Sequence, residues 1–139
     1  MPVGNVDPAG LLPNRQFSFW PYAQINDPRL KLGDDFTLFK ADASLPPFKM
    51  GYFNPHGWLA YWLDGILFRK TFDIRTDALH PDNNSNAELY CNDKFIELET
   101  LAPLKTLHPG EAAHHRETWD LFYDLDSLPE NARRAIQAS

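Results

Sequence analysis

Short runs of alternating apolar and polar residues, separated by turn residues, make up most of this chain. Residues 36–41 alternate in this way, which is typical of a strand with one buried face. Two aromatic and aliphatic runs, residues 57–63 and 66–74, flank Asp64 and Gly65. Because Asp-Gly adopts the positive φ angles of a type I′ turn, we expect these two runs to form a β-hairpin.

The rest of the pattern predicts further strands and one helix. A second hairpin is predicted over residues 88–100, turning at Asn92 and Asp93. Residues 112–123 have the length of a helix, but their apolar and charged side chains alternate, so we expect a strand. Residues 128–137 are predicted to form a short C-terminal helix.

Together these elements predict one all-β domain spanning residues 1–139, an antiparallel β-sandwich followed by the helical tail. Residues 1–14 are rich in Pro, Gly and Asn and are expected to form an N-terminal arm. Twelve prolines suit short elements joined by fixed turns, and a 43% hydrophobic content argues against a disordered chain.

The charge and the cysteine content indicate which binding partners and which cellular compartment are expected. The net charge is −6 and there is no basic stripe, so nucleic acid and anionic membranes are not expected partners. No apolar run reaches the roughly 20 residues that span a bilayer. The single Cys91 cannot form an internal disulfide, which favours a reducing, cytoplasmic compartment. There is no phosphate-binding glycine loop, and we expect no cofactor.

Two glutamates on one predicted strand are the clearest candidates for chemistry. Because strand side chains alternate between faces, Glu97 and Glu99 lie on the face opposite Ile96 and Leu98. Paired carboxylates of this kind serve acid/base catalysis or accept hydrogen bonds from sugar hydroxyls. The alternative is that they form a solvated outer face.

Histidine and tryptophan offer weaker signals. The histidines lack the spacing of a metal site, so no metal is expected and surface positions are predicted for all five: His56, His80, His108, His114 and His115. Aromatic rings stack on the C–H faces of sugars. Trp20, beside Pro21 and Tyr22, is the tryptophan expected to be exposed.

Three groups of segments carry a family resemblance: residues 12–15, 19–22 and 27–29; residues 48–51 and 57–61; and residues 97–104 and 107–111. Their order and spacing resemble uncharacterised bacterial members of the galactose-mutarotase-like (aldose 1-epimerase-like) superfamily. The resemblance extends over residues 12–123 and is to the C-terminal half of those proteins, which are longer.

The resemblance implies a β-sandwich whose concave face binds saccharide. In the epimerases a late glutamate acts as general base on the anomeric hydroxyl, and a histidine donates a proton to the ring oxygen. An acidic strand end before a Pro-containing turn matches residues 98–103, so Glu99 is the candidate base. Glu97, Trp20 and Arg15 are the candidate ligand-binding residues.

The chain lacks the family's histidine motif, because His56 lies in a Pro-His-Gly turn that does not match it. The leading hypothesis is therefore a carbohydrate-binding domain with lost or degenerate catalysis. An aldose or sugar-phosphate epimerase is the first alternative, with Glu99 as base and a histidine from His56, His80 or a partner subunit. A structural self-association domain is the second. Since half a sandwich leaves apolar faces and open edges, we expect a homodimer.

Overall fold

Residues 1–125 are described by the structure, a computed structural model, and they contain nine short strands and one helical turn. The elements in chain order are β1 (Phe17–Phe19), β2 (Leu30–Leu32), β3 (Thr37–Phe39), β4 (Phe48–Tyr52), β5 (Trp58–Leu63), β6 (Ile66–Phe72), α1 (Pro81–Asn84), β7 (Ala87–Cys91), β8 (Ile96–Thr100) and β9 (Glu117–Phe122). The predicted helix at residues 128–137 lies outside the described residues.

The strands form three antiparallel sheets. The largest has the order β1-β4-β7-β8, a second contains β5-β6-β9, and β2 pairs with β3 alone. The prediction of an all-β fold with antiparallel, sandwich-like sheets is confirmed for the described part of the chain. No helix within residues 1–125 is long and apolar enough to cross a membrane.

The core lies against one face of the four-stranded sheet. Alternate residues of β4 and β7 point into it because strand side chains alternate between faces, and Leu59, Phe72, Met1 and Val3 pack on them from other parts of the chain. The buried residues contributed by β4 and β7 are Phe48, Met50, Tyr52, Ala87 and Leu89. The opposite face of the same sheet is therefore free to carry polar groups.

Both predicted hairpins are present. Asp64 and Gly65 have φ angles of 47° and 83°, as a type I′ turn requires. In the second hairpin the turn continues to Phe95, because Asn92 Oδ1 accepts hydrogen bonds from the amides of Lys94 and Phe95. The predicted strand at residues 112–123 is shorter than expected, since β9 begins only at Glu117.

The N-terminal residues are part of the core. Met1 accepts a hydrogen bond from the Thr37 amide at 2.8 Å, Pro2 forms an isolated bridge with Phe36, and Met1 and Val3 are buried. The Pro- and Gly-rich composition gave no sign of this, because the pairing partner lies more than thirty residues away. Residues 5–14 have no strand or helix.

Candidate functional site

The face of the four-stranded sheet opposite the core carries a cluster of charged and aromatic side chains. Cross-strand register aligns Lys49 on β4 with Tyr90 on β7 and Glu97 on β8. The neighbouring row aligns Gly51, Glu88 and Glu99. Each of these residues alternates with a core residue of its own strand, which is why all of them face outward.

Lys49 is the centre of this cluster. Its ammonium lies 2.8 Å from Glu88 Oε2 and donates a hydrogen bond to Glu99 Oε2 at 2.9 Å. It also lies 4.7 Å from the centre of the Trp20 ring, within the range of a cation–π contact. We call these four residues, together with Glu97, the acidic site.

Two carboxylate oxygens of the acidic site are buried without a hydrogen-bond partner among the described residues. They are Glu88 Oε1 and Glu99 Oε1. Leaving a buried polar atom unpaired costs about 1–3 kcal/mol. Of these two carboxylates, only Glu99 can be reached by a ligand with donor groups, because its side chain is 26% exposed whereas Glu88 is 1% exposed.

Burial and neighbouring charges shift the proton equilibria of the acidic site. Burial raises the pKa of Glu88 to about 7, although the Lys49 ammonium opposes this, and a hydrogen bond with the Asp82 side chain and the charge of Glu99 raise it further. Burial alone would lower the pKa of Lys49, but its bonds to Glu88 and Glu99 outweigh that effect and raise it. Burial and the charge of Glu99 raise the pKa of Glu97. Glu88 therefore keeps its proton to a higher pH than an ordinary glutamate does.

The turn that precedes β7 covers Glu88 but leaves Glu99 accessible. Ser18 and Ser85 both donate to the carbonyl of Asp82, at 3.1 and 2.7 Å. The Ser85 side chain lies over Gly51, where an added Cβ would be 2.8 Å from Ser85 Oγ. Glu88 is only 1% exposed as a result, whereas the Glu99 side chain is 26% exposed.

Three of the five residues proposed from the sequence come together here: Glu97, Glu99 and Trp20. The other two lie elsewhere. Arg15 donates to Gly4 O at 2.8 Å and lies 3.6 Å from the Asp34 carboxylate. The ring of the exposed His56 lies 3.2 Å from Val3 O.

Two residues of the acidic site escaped the sequence analysis. Lys49 and Glu88 alternate with apolar core residues along their strands, as Glu97 and Glu99 alternate with Ile96 and Leu98, so the local signal was present. Only the pairing of β4, β7 and β8 shows that the four side chains meet.

Two expectations about aromatic and histidine residues are wrong. His80 is buried, at 5% exposure, because its ring packs edge-on against Phe53. Trp20 is half-buried because it lies against Lys49, whereas Trp119 on β9 is 66% exposed. Cys91 is buried and unpaired.

No group of three or more His, Cys, Asp or Glu side chains within residues 1–125 has the arrangement of a metal site. Comparisons with models of protein families, with curated proteins and with solved structures find no match to this chain.

Proposed function

We propose that this domain binds a neutral saccharide at the acidic site, as its resemblance to the galactose-mutarotase-like superfamily implies. The observation that carries the proposal is the Glu99 carboxylate: Lys49 donates to its Oε2, its side chain is 26% exposed, and its Oε1 makes no hydrogen bond to the ionised neighbours among the described residues. A sugar presents several hydroxyl donors at close spacing. A hydrogen bond from one sugar hydroxyl to Glu99 Oε1 would remove the free-energy cost of leaving that oxygen unpaired. This contribution favours binding, and a carboxylate already hydrogen-bonded to water would not provide it.

The aromatic side chains around the acidic site support the same class of ligand. Trp20 is half-buried beside Lys49, and Tyr22 at the rim is 48% exposed. Burial and the surrounding carboxylates, Glu99 and Glu88 among them, raise the pKa of the Tyr22 hydroxyl, so it remains a neutral donor at physiological pH. An aromatic wall next to polar acceptors suits a ring with an apolar C–H face and hydroxyl edges.

The charge of the acidic site favours a neutral sugar over a sugar phosphate. Three carboxyl groups surround one ammonium, so an added phosphate would meet net repulsion. Arg15, a candidate ligand-binding residue from the sequence, is engaged with Gly4 and Asp34 instead.

Titration calorimetry with a panel of neutral monosaccharides tests the proposal. We expect saturable binding of at least one sugar, and loss of about tenfold or more in affinity in Glu99→Gln and in Trp20→Ala. Arg15→Ala is the matched control and is expected to bind like the original protein. Equal loss in Arg15→Ala, or no binding by any sugar, would refute the proposal.

A second candidate function is aldose 1-epimerisation with Glu99 as base. Glu99 suits the role of base because its side chain is 26% exposed and lies beside Lys49. In this mechanism Glu99 accepts the proton of the anomeric hydroxyl while a histidine of a partner subunit protonates the ring oxygen, and the C1–O5 bond breaks. Reclosure from the other face of C1, with both protons returned, gives the other anomer. Glu88 cannot serve as the acid, because the turn that covers it leaves it only 1% exposed.

We further propose a cytoplasmic homodimer. Its interface would be the apolar sheet face, which we define as the outward residues at one end of the β5-β6-β9 sheet: Leu63, Ile66, Phe68, Trp119, Leu121 and Tyr123. Most of these large side chains are more than half exposed, an arrangement that is costly in water and that a second copy of the face would cover. The buried, reduced Cys91 is compatible with the cytoplasm.

A further inference from the structure

A cavity of about 590 Å³ lies on the other side of the four-stranded sheet, away from the acidic site. It is bounded by the β2-β3 hairpin, by β5 and by the inward residues of β7 and β8. Ligand-binding pockets in proteins typically have volumes of about 300–1,000 Å³. The cavity is therefore large enough for a small organic molecule.

The walls of the cavity are mainly apolar. Aromatic rings from β5 and from the segment leading into β3 form one side, and aliphatic side chains of β7 and β8 form the other. The residues that define these two sides are Phe36, Trp58, Trp62, Leu89, Ile96 and Leu98. A site of this composition binds a hydrocarbon or aromatic body, since it offers no set of acceptors like the acidic site.

One polar group inside the wall lacks a partner. Thr37 lines the cavity and is 1% exposed, and its Oγ1 makes no hydrogen bond with any described residue. An unpaired buried hydroxyl is energetically unfavourable. A ligand with one hydrogen-bonding group would recover part of that cost.

The charged side chains that line the cavity are all basic within the described chain: Arg29, Lys31 and Lys40. Asp27 neutralises Arg29 through a buried ion pair at 2.8 Å. Lys31 and Lys40 are exposed at the opening, where Lys40 also lies near enough to Asp42 to help lower the pKa of that carboxyl. This local excess of positive charge contrasts with the net charge of −6 of the whole chain, and it attracts an anionic head group.

We infer that the cavity is a second ligand site, which binds an amphiphile with an apolar body and a carboxylate head. The body occupies the space between β5 and the β7-β8 strands, where it contacts Trp58 and Trp62. The carboxylate lies at the opening, between Lys31 and Lys40. This site is independent of the saccharide proposal, because it shares no residue with the acidic site.

Calorimetry with decanoate and with decanol tests the inference. We expect saturable binding of decanoate, weakened about fivefold in the double variant Lys31→Gln, Lys40→Gln, with decanol affinity unchanged. Ala60→Phe places a ring in the cavity and is expected to abolish binding of both ligands. Trp20→Ala, in the acidic site, is the matched control and should bind decanoate normally.

An NMR measurement on the unaltered protein tests the same inference without depending on whether the variants fold. A spin-labelled decanoate should broaden the indole signals of Trp58 and Trp62 and leave those of Trp20 and Trp119 sharp. Broadening of Trp119 alone would place the ligand on the apolar sheet face and overturn the inference. Absence of saturable decanoate binding would overturn it as well.

Discussion

The burial of Glu88 predicts a specific dependence of stability on pH. The pKa of its carboxyl is about 7 in the folded protein, compared with 4.5 for an ordinary glutamate. Below pH 4.5 the group is protonated in both the folded and the unfolded chain, so its contribution to stability is fully present. As pH rises, the unfolded chain ionises first. The contribution is then lost progressively until the folded pKa is passed, and the total loss is about 3 kcal/mol.

The variant Glu88→Gln isolates this effect, because glutamine stays neutral at every pH. The comparison must be made between variants, since the buried Met1 amine titrates in the opposite sense. Burial lowers the pKa of that amine from 8.0 to about 5, which adds stability as pH rises over the same range. This second effect is common to both proteins and cancels in the difference.

Urea unfolding followed by tryptophan fluorescence measures the difference directly. We expect the unfolding free energy of Glu88→Gln, relative to the original protein, to increase by about 3 kcal/mol between pH 4.5 and pH 8. Lys49→Met removes the ammonium that lowers the pKa of Glu88, so the loss of stability should move to higher pH in that variant. A difference that stays constant with pH would refute the reasoning, because Glu88 would then be ionised in the fold.

Two further predictions concern the covering turn and the proposed dimer. Gly51→Ala should lower the unfolding free energy measured in urea titrations by about 1–3 kcal/mol. The added Cβ would lie 2.8 Å from Ser85 Oγ and 3.1 Å from Glu88 Cγ, which is too close. An unchanged urea midpoint would show that the turn is loosely held. Leu121→Glu should convert the dimer to a monomer in sedimentation experiments. Leu104→Glu, at an exposed leucine outside the apolar sheet face, is the control and should remain dimeric. A monomeric original protein would rule out the dimer.

The local part of the fold could be predicted from the sequence. The Asp64-Gly65 turn depends on backbone preferences of two adjacent residues, and the outward placement of Glu97 and Glu99 depends only on strand alternation. Each of these features is determined within a few residues of chain.

Contacts between residues that are far apart in the sequence could not be predicted. Lys49 reaches Glu99 across fifty residues of sequence, and only the pairing of β4 with β7 and of β7 with β8 brings them together. The same reason explains the burial of Met1, whose partner is Thr37. The pKa of Glu88 follows from the turn that covers it, which no local pattern in the sequence reveals.

One measurement tests the saccharide proposal most directly and separates binding from turnover. Proton NMR spectra of pure α-anomers of neutral sugars, recorded with and without the protein, report both ligand line width and the rate of anomeric exchange. We predict broadened ligand signals without faster exchange, and loss of the broadening in Glu99→Gln. Faster exchange that disappears in Glu99→Gln would establish the epimerase instead. Unchanged line widths and unchanged exchange for every sugar would contradict saccharide binding at the acidic site.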